Sequence, residues 1–154
     1  MNSTIRSLQS LFSRDLDLLA TEISAYPSEE SLWKIAGDIK NSGGNLCLHL
    51  CGNLQHFIGT VLGKSDYVRN REAEFADKNI PKAVLLQQIE TTKESISTTM
   101  DKLDPSQLAV NYPIEVLGKP MTTEYFLIHL LAHLTYHRGQ INYHRRLLEI
   151  GSGH

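Results

Sequence analysis

IHLLAHLTYHRGQINYHRRL, residues 128–147, gathers four of the chain's seven histidines on one apolar segment without proline. An α-helix turns about 100° per residue, so residues four apart share a face with about 40° of drift. With His129 at zero, His133 falls near ~40°, His137 near ~80° and His144 near ~60°. Leu130, Leu134, Ile141 and Leu148 occupy the adjacent arc, ~100° to ~140°. A solvated polar stripe would lie opposite the leucines, whereas these imidazoles border them. The segment therefore reads as a long helix, from Thr122 or Thr123 to about Ile150, with histidines at the edge of its core-facing side.

Working outward, three more helices follow from apolar periodicity. The first covers about Ser3 to Ala25, with Ile5, Leu8, Leu11, Phe12, Leu16, Leu19 and Ile23 in phase. Pro27 breaks it, because proline lacks a backbone donor and disfavours helix at the residue before it. NSGGN at 41–45 is a second breaker and offers Ser42 and Asn45 as helix-starting side chains. The next helix spans about Gly44 to Leu62 and ends at Gly63. The polar KSDYVRNREAEFADKN at 64–79 reads as a long connection. Another helix begins near Pro81 and runs to about Leu103. Pro105, Pro113, Gly118 and Pro120 then exclude a good helix, and YPIEVLG suggests an extended arm or small hairpin. Four long helices without competing strands predict an all-α four-helix bundle. It would have long connections between its second and third and its third and fourth helices. A single domain over 1–150 and a short tail at 151–154 complete this outline.

On the second of these helices His49, Asn53 and His56 lie within about 60° of one another, again beside the apolar arc. Inward side chains from facing helices are how bundles build metal sites. Two histidines at i and i+4 can chelate one ion, and a third imidazole from another helix leaves one position open. The alternative is a set of buried histidines hydrogen-bonded to backbone or asparagine, which is equally stable. Spacing alone leaves open which three of His49, His56, His129, His133, His137 and His144 would be ligands. Cys47 and Cys51 read as small buried hydrophobes, with a Cys–His metal site as the alternative.

Composition bounds the function. With 15 lysines and arginines against 17 aspartates and glutamates, the formal charge is −2, and no basic stripe marks a dedicated nucleic-acid binder. No window approaches the ~18 uninterrupted apolar residues of a membrane span. Arg14, Asp15 and Asp17 interrupt the start, unlike a signal peptide. These features lead to the expectation of a cytoplasmic protein without nucleic-acid or membrane partners.

NSGGNLCLHLCGNLQHFIG at 41–59, RNREAEF at 69–75 and HLTYHRGQI at 133–141 together resemble the DinB-like superfamily, in this order along nearly the whole chain. The closest likeness is to a branch opening N-S-x-G-N-L-x-x-H-L-x-G-N, related to bacillithiol and mycothiol S-transferases and thiol-dependent maleylpyruvate isomerases. The resemblance implies an up-down-down-up bundle, a homodimer, and a divalent metal, commonly zinc or nickel, held by His49, His133 and His137. It leaves His129 to packing, His56 to the rim and His144 too far down the helix. Gly139 would allow close helix approach and Gln140 would hydrogen-bond within the bundle. Asn70 departs from the family's R-D-R-x-x-E-F pattern. There Phe75 would anchor the connection while Arg69, Arg71 and Glu74 pair.

Three neutral imidazoles would leave such a cation its full charge, which acidifies bound water and deprotonates a thiol. Transfer of a low-molecular-weight thiol to an electrophilic small molecule is the first expectation. Metal-dependent hydrolysis comes second, weakened because the ligand helix offers only Glu124 and Glu149, near its ends, as bases. A non-catalytic metal-binding or sensory bundle is the third.

Overall fold

The computed structural model describes residues 2–150, and the expected tail at 151–154 lies outside the described residues. It is all-helical, with five α-helices and no strand among those residues. Helix α1, Ser3–Ser24, starts where the Asn2 side chain accepts from the backbone N–H of Thr4 and Ile5 at 2.8 and 3.1 Å. Its stripe of Ile5, Leu8, Phe12, Leu16, Leu19 and Ile23 is buried. A 3₁₀ turn at Glu30–Trp33 then tucks Leu32 and Trp33 inside.

Helix α2, Gly43–Leu54, is the centre of the fold: every one of its residues is buried. It is capped by Ser42, whose hydroxyl accepts from Asn45 N–H at 3.2 Å. The two glycines of NSGGN do more than break the preceding segment. A Cβ on Gly44 would lie 2.7 Å from the Trp33 ring, and one on Gly43 would overlap the Tyr26 hydroxyl. The missing side chains let the start of α2 sit directly on those aromatics. From Gln55 to Leu62 the helix continues with π geometry and ends at Gly63. Gln55 Nε2 reaches Thr92 Oγ1 at 3.1 Å.

The connection after α2 is not purely irregular. It contains α3, Arg71–Ala76, capped by Asn70 Oδ1 accepting from Ala73 N–H at 3.1 Å. Six residues with Phe75 as their one large apolar side chain carry no periodicity to betray a helix. Helix α4, Lys82–Lys102, starts immediately after Pro81. The segment expected to be an arm or hairpin holds a 3₁₀ turn at Pro105–Leu108 and one antiparallel bridge, Asn111 to Thr122. Backbone bonds of 2.9 Å from Tyr112 N–H to Met121 O and from Thr123 N–H to Val110 O close it. Helix α5, Thr123–Ile150, follows.

Helix α1 packs on α4 and α5, and α2 packs on α3, α4 and α5. Helices α2 and α5 run antiparallel: Gly43 lies beside His144, His49 beside His133, and Phe57 beside Phe126 with ring centroids 5.3 Å apart. That alignment brings the histidine faces of the two helices together. No helix among the described residues is long and apolar enough to cross a membrane.

Candidate metal centre

The ligating atoms of His49, His133 and His137 all lie within 4.8 Å of one another. His49 is buried, and the two α5 histidines are half-buried. Nε2 of His49 and Nε2 of His133 stand 3.2 Å apart. Two imidazole nitrogens bound tetrahedrally at zinc-like distances would be about 3.3 Å apart. The rings meet edge to face: centroids are 5.1 Å apart for His49–His133 and 4.5 Å for His133–His137.

Partners behind the trio fix two of the rings. Glu74 Oε1 accepts from His49 Nδ1 at 3.0 Å, so His49 presents the Nε2 lone pair forward. Arg69 grips the same carboxylate in a fork, Nε to Oε2 at 2.8 Å and Nη2 to Oε1 at 2.9 Å. Burial alone would raise the Glu74 pKa, but the bonds from His49 and Arg69 outweigh it and hold the carboxyl below its usual range. On α5, Gln140 Oε1 accepts from His137 Nδ1 at 2.7 Å, again leaving Nε2 forward. Burial, reinforced by His137 and His49, brings the His133 pKa down to about 4. Burial also lowers that of His137. Both are neutral at physiological pH, the form that donates to a metal.

The carboxylate reaches His49 only because Gly52 lacks a side chain. A Cβ there would overlap Glu74 Oε2 and lie 2.6 Å from its Cδ. Donor chemistry, spacing and this cradle all fit a divalent cation in a three-imidazole site. Three histidines are close enough to hold one.

The other histidines separate cleanly. His129 stacks on Phe126 at 5.8 Å, a packing role as expected. His56 packs edge-on against Phe57 at 4.8 Å. His144 is buried and fully engaged: Nδ1 pairs with Tyr26 OH and Nε2 with Lys34 O, both at 2.7 Å. It is a satisfied core histidine. His144→Ala should therefore cost about 1–3 kcal/mol of stability, the scale of a disrupted buried hydrogen-bond pair. Denaturant unfolding should record that loss while metal affinity stays unchanged. Cys47 and Cys51 are buried free thiols, consistent with small hydrophobes.

Several local expectations need correction. Gly139 does not mediate close helix approach, because a Cβ on it would meet nothing within 4 Å. Gln140 does hydrogen-bond within the bundle, to His137 on its own helix, and so orients a candidate ligand. Arg71 does not pair with Glu74 but lies over the Phe75 ring at 5.2 Å. Glu74 and Arg69, read from sequence as loop architecture, are part of the site. The Glu74 contact spans 25 residues and left no local spacing to find it by.

These features define an all-helical protein with a three-histidine cluster able to hold a metal. Residues 2–152 match the family model described as "Protein of unknown function (DUF1572)". The chain belongs to that family, which is DinB-like. No curated protein matches the chain.

Proposed function

We propose that this protein is a metal-dependent enzyme of the DinB-like class that transfers a low-molecular-weight thiol to an electrophilic small molecule. The observation that carries the reading is the convergence of His49, His133 and His137 from two helices. Glu74 and Gln140 behind two of them direct Nε2 inward. These three side chains are the proposed ligands, for zinc or nickel, with α1, α2, α4 and α5 forming an up-down-down-up bundle around them.

A divalent cation with three neutral ligands and an open position supplies Lewis acidity, which favours the thiolate of an incoming thiol. The chain contributes the rest. His49 and His137 are each held in one tautomer, so neither of those two rings needs to turn to receive the cation. Arg69 keeps Glu74 ionised and in place, and the carboxylate in turn makes His49 a stronger donor. Glu74 is thereby committed to two partners and is not free to take a proton from water. That commitment favours thiol transfer over hydrolysis, which needs a separate general base.

The expected result is thiol consumption, against a panel of electrophiles, that depends on added zinc or nickel and is lost with chelator. Retention of full activity in the chelated protein would overturn the reading. Metal binding without turnover across both thiol and ester panels would favour the sensory alternative. A cytoplasmic homodimer is part of the same proposal. The exposed Tyr136, Tyr143 and Leu147 along α5 are the surface a partner copy would cover. Light scattering on the purified protein checks it.

A further inference from the structure

Two of the three imidazoles have an acceptor on Nδ1, Glu74 for His49 and Gln140 for His137. His133 does not. Its Nδ1 is buried without a hydrogen-bond partner, and so is Oδ1 of Asn53. A donor and an acceptor are thus both orphaned on the facing surfaces of α2 and α5. A buried polar group left without a partner keeps the full cost of its lost hydration. An unpaired buried group in a native structure calls for an explanation, and a functional role is one.

Their placement is complementary. Asn53 is one turn beyond His49 on the same face of α2, and only 8% of it is exposed. Because α2 and α5 are antiparallel, with His49 beside His133 and Phe57 beside Phe126, Asn53 stands level with the turn of α5 just before His133. Side chains on a helix lean toward its N-terminus. His133 therefore leans toward the level of Asn53, and Asn53 leans toward the level of His49.

We infer that Asn53 is the positioning residue for His133: when a cation occupies the trio, His133 Nδ1–H donates to Asn53 Oδ1. Every ligand would then carry its own amide or carboxylate acceptor, Glu74, Asn53 and Gln140. This rests on the metal reading above and adds a residue to it.

The test uses the full-length protein with zinc as the probe. Competition titration should show Asn53→Leu, similar in size but without an acceptor, binding zinc 10–100-fold more weakly than wild type. Asn53→Asp, which keeps the acceptor, should retain wild-type affinity or exceed it. In ¹⁵N-edited NMR of the zinc-loaded wild type, the Nδ1–H of His133 should be protected from exchange, as should that of His49, whose bond to Glu74 is buried. Asn53→Leu should lose the His133 signal alone. Unchanged zinc affinity in a folded Asn53→Leu variant overturns the proposal but not the metal site. Failure of wild type to bind zinc or nickel overturns both. Should Asn53→Leu not fold, the aspartate variant decides: retained affinity with a protected His133 proton supports the inference, and a tenfold loss overturns it.

Discussion

His133→Ala is expected to abolish metal binding while leaving the helical fold in place. His133 lies against both other candidate ligands, 3.2 Å from His49 by Nε2 and with its ring centroid 4.5 Å from that of His137. With it gone, one imidazole per helix remains, and chelation by the i, i+4 pair is lost. The effect should be readable without an assay of turnover. For wild type, zinc at about 100 times its dissociation constant should add about 2.7 kcal/mol to unfolding free energy. The variant should show no such increment, and elemental analysis should find no bound metal. The metal-free proteins should unfold at similar denaturant concentrations, since His133 is half-buried and its Nδ1 has no partner to lose. An undiminished zinc increment in the variant would remove His133 from the ligand set.

Gly52→Ala is the second large effect, and it acts without touching a ligand. The added methyl would occupy the space of Glu74 Oε2. The carboxylate is gripped by Arg69 and packed over α2, so it can yield only by surrendering its bonds to His49 and Arg69. Overpacking of this kind costs about 1–3 kcal/mol. Loss of the carboxylate behind a ligating histidine lowers metal affinity 10–100-fold. Both changes should appear together in Gly52→Ala, in denaturant unfolding and zinc competition respectively. Glu74→Gln, which keeps a neutral acceptor on His49 without the clash, should fall between the two in zinc affinity. A Gly52→Ala variant with wild-type stability and affinity would mean that Glu74 does not brace the site.

Much of the architecture was legible in the sequence because periodicity is a local property. The apolar phases and the breakers at Pro27, Gly63 and Pro81 place α1, α4 and α5 within a residue or so of their observed bounds, and do the same for α2 only when its π continuation to Leu62 is included. Helix α3 escaped because six residues with one large apolar side chain have no measurable phase. The π geometry over Gln55–Leu62 escaped because eight apolar-rich residues do not distinguish an i→i+5 ladder from an i→i+4 one by their phase. The position of Gly139 misled because a glycine does not say whether its space is filled by a neighbour or left open.

By itself, the sequence determined that this chain is all-helical and that two helices carry imidazoles at the edge of their apolar faces. Helical repeat and side-chain chemistry are enough for that, since both act over four or five residues. Only the tertiary structure decided which imidazoles converge. Antiparallel docking of α2 on α5 brings His49 to His133 and His137 and leaves His144 bonded to Tyr26 and Lys34. It also decided that Glu74 is a brace rather than a loop residue, because Gly52 opens the space it fills. Wheel angles place a side chain on a face, but the partner across that face is set by the register of two packed helices, which no local pattern encodes.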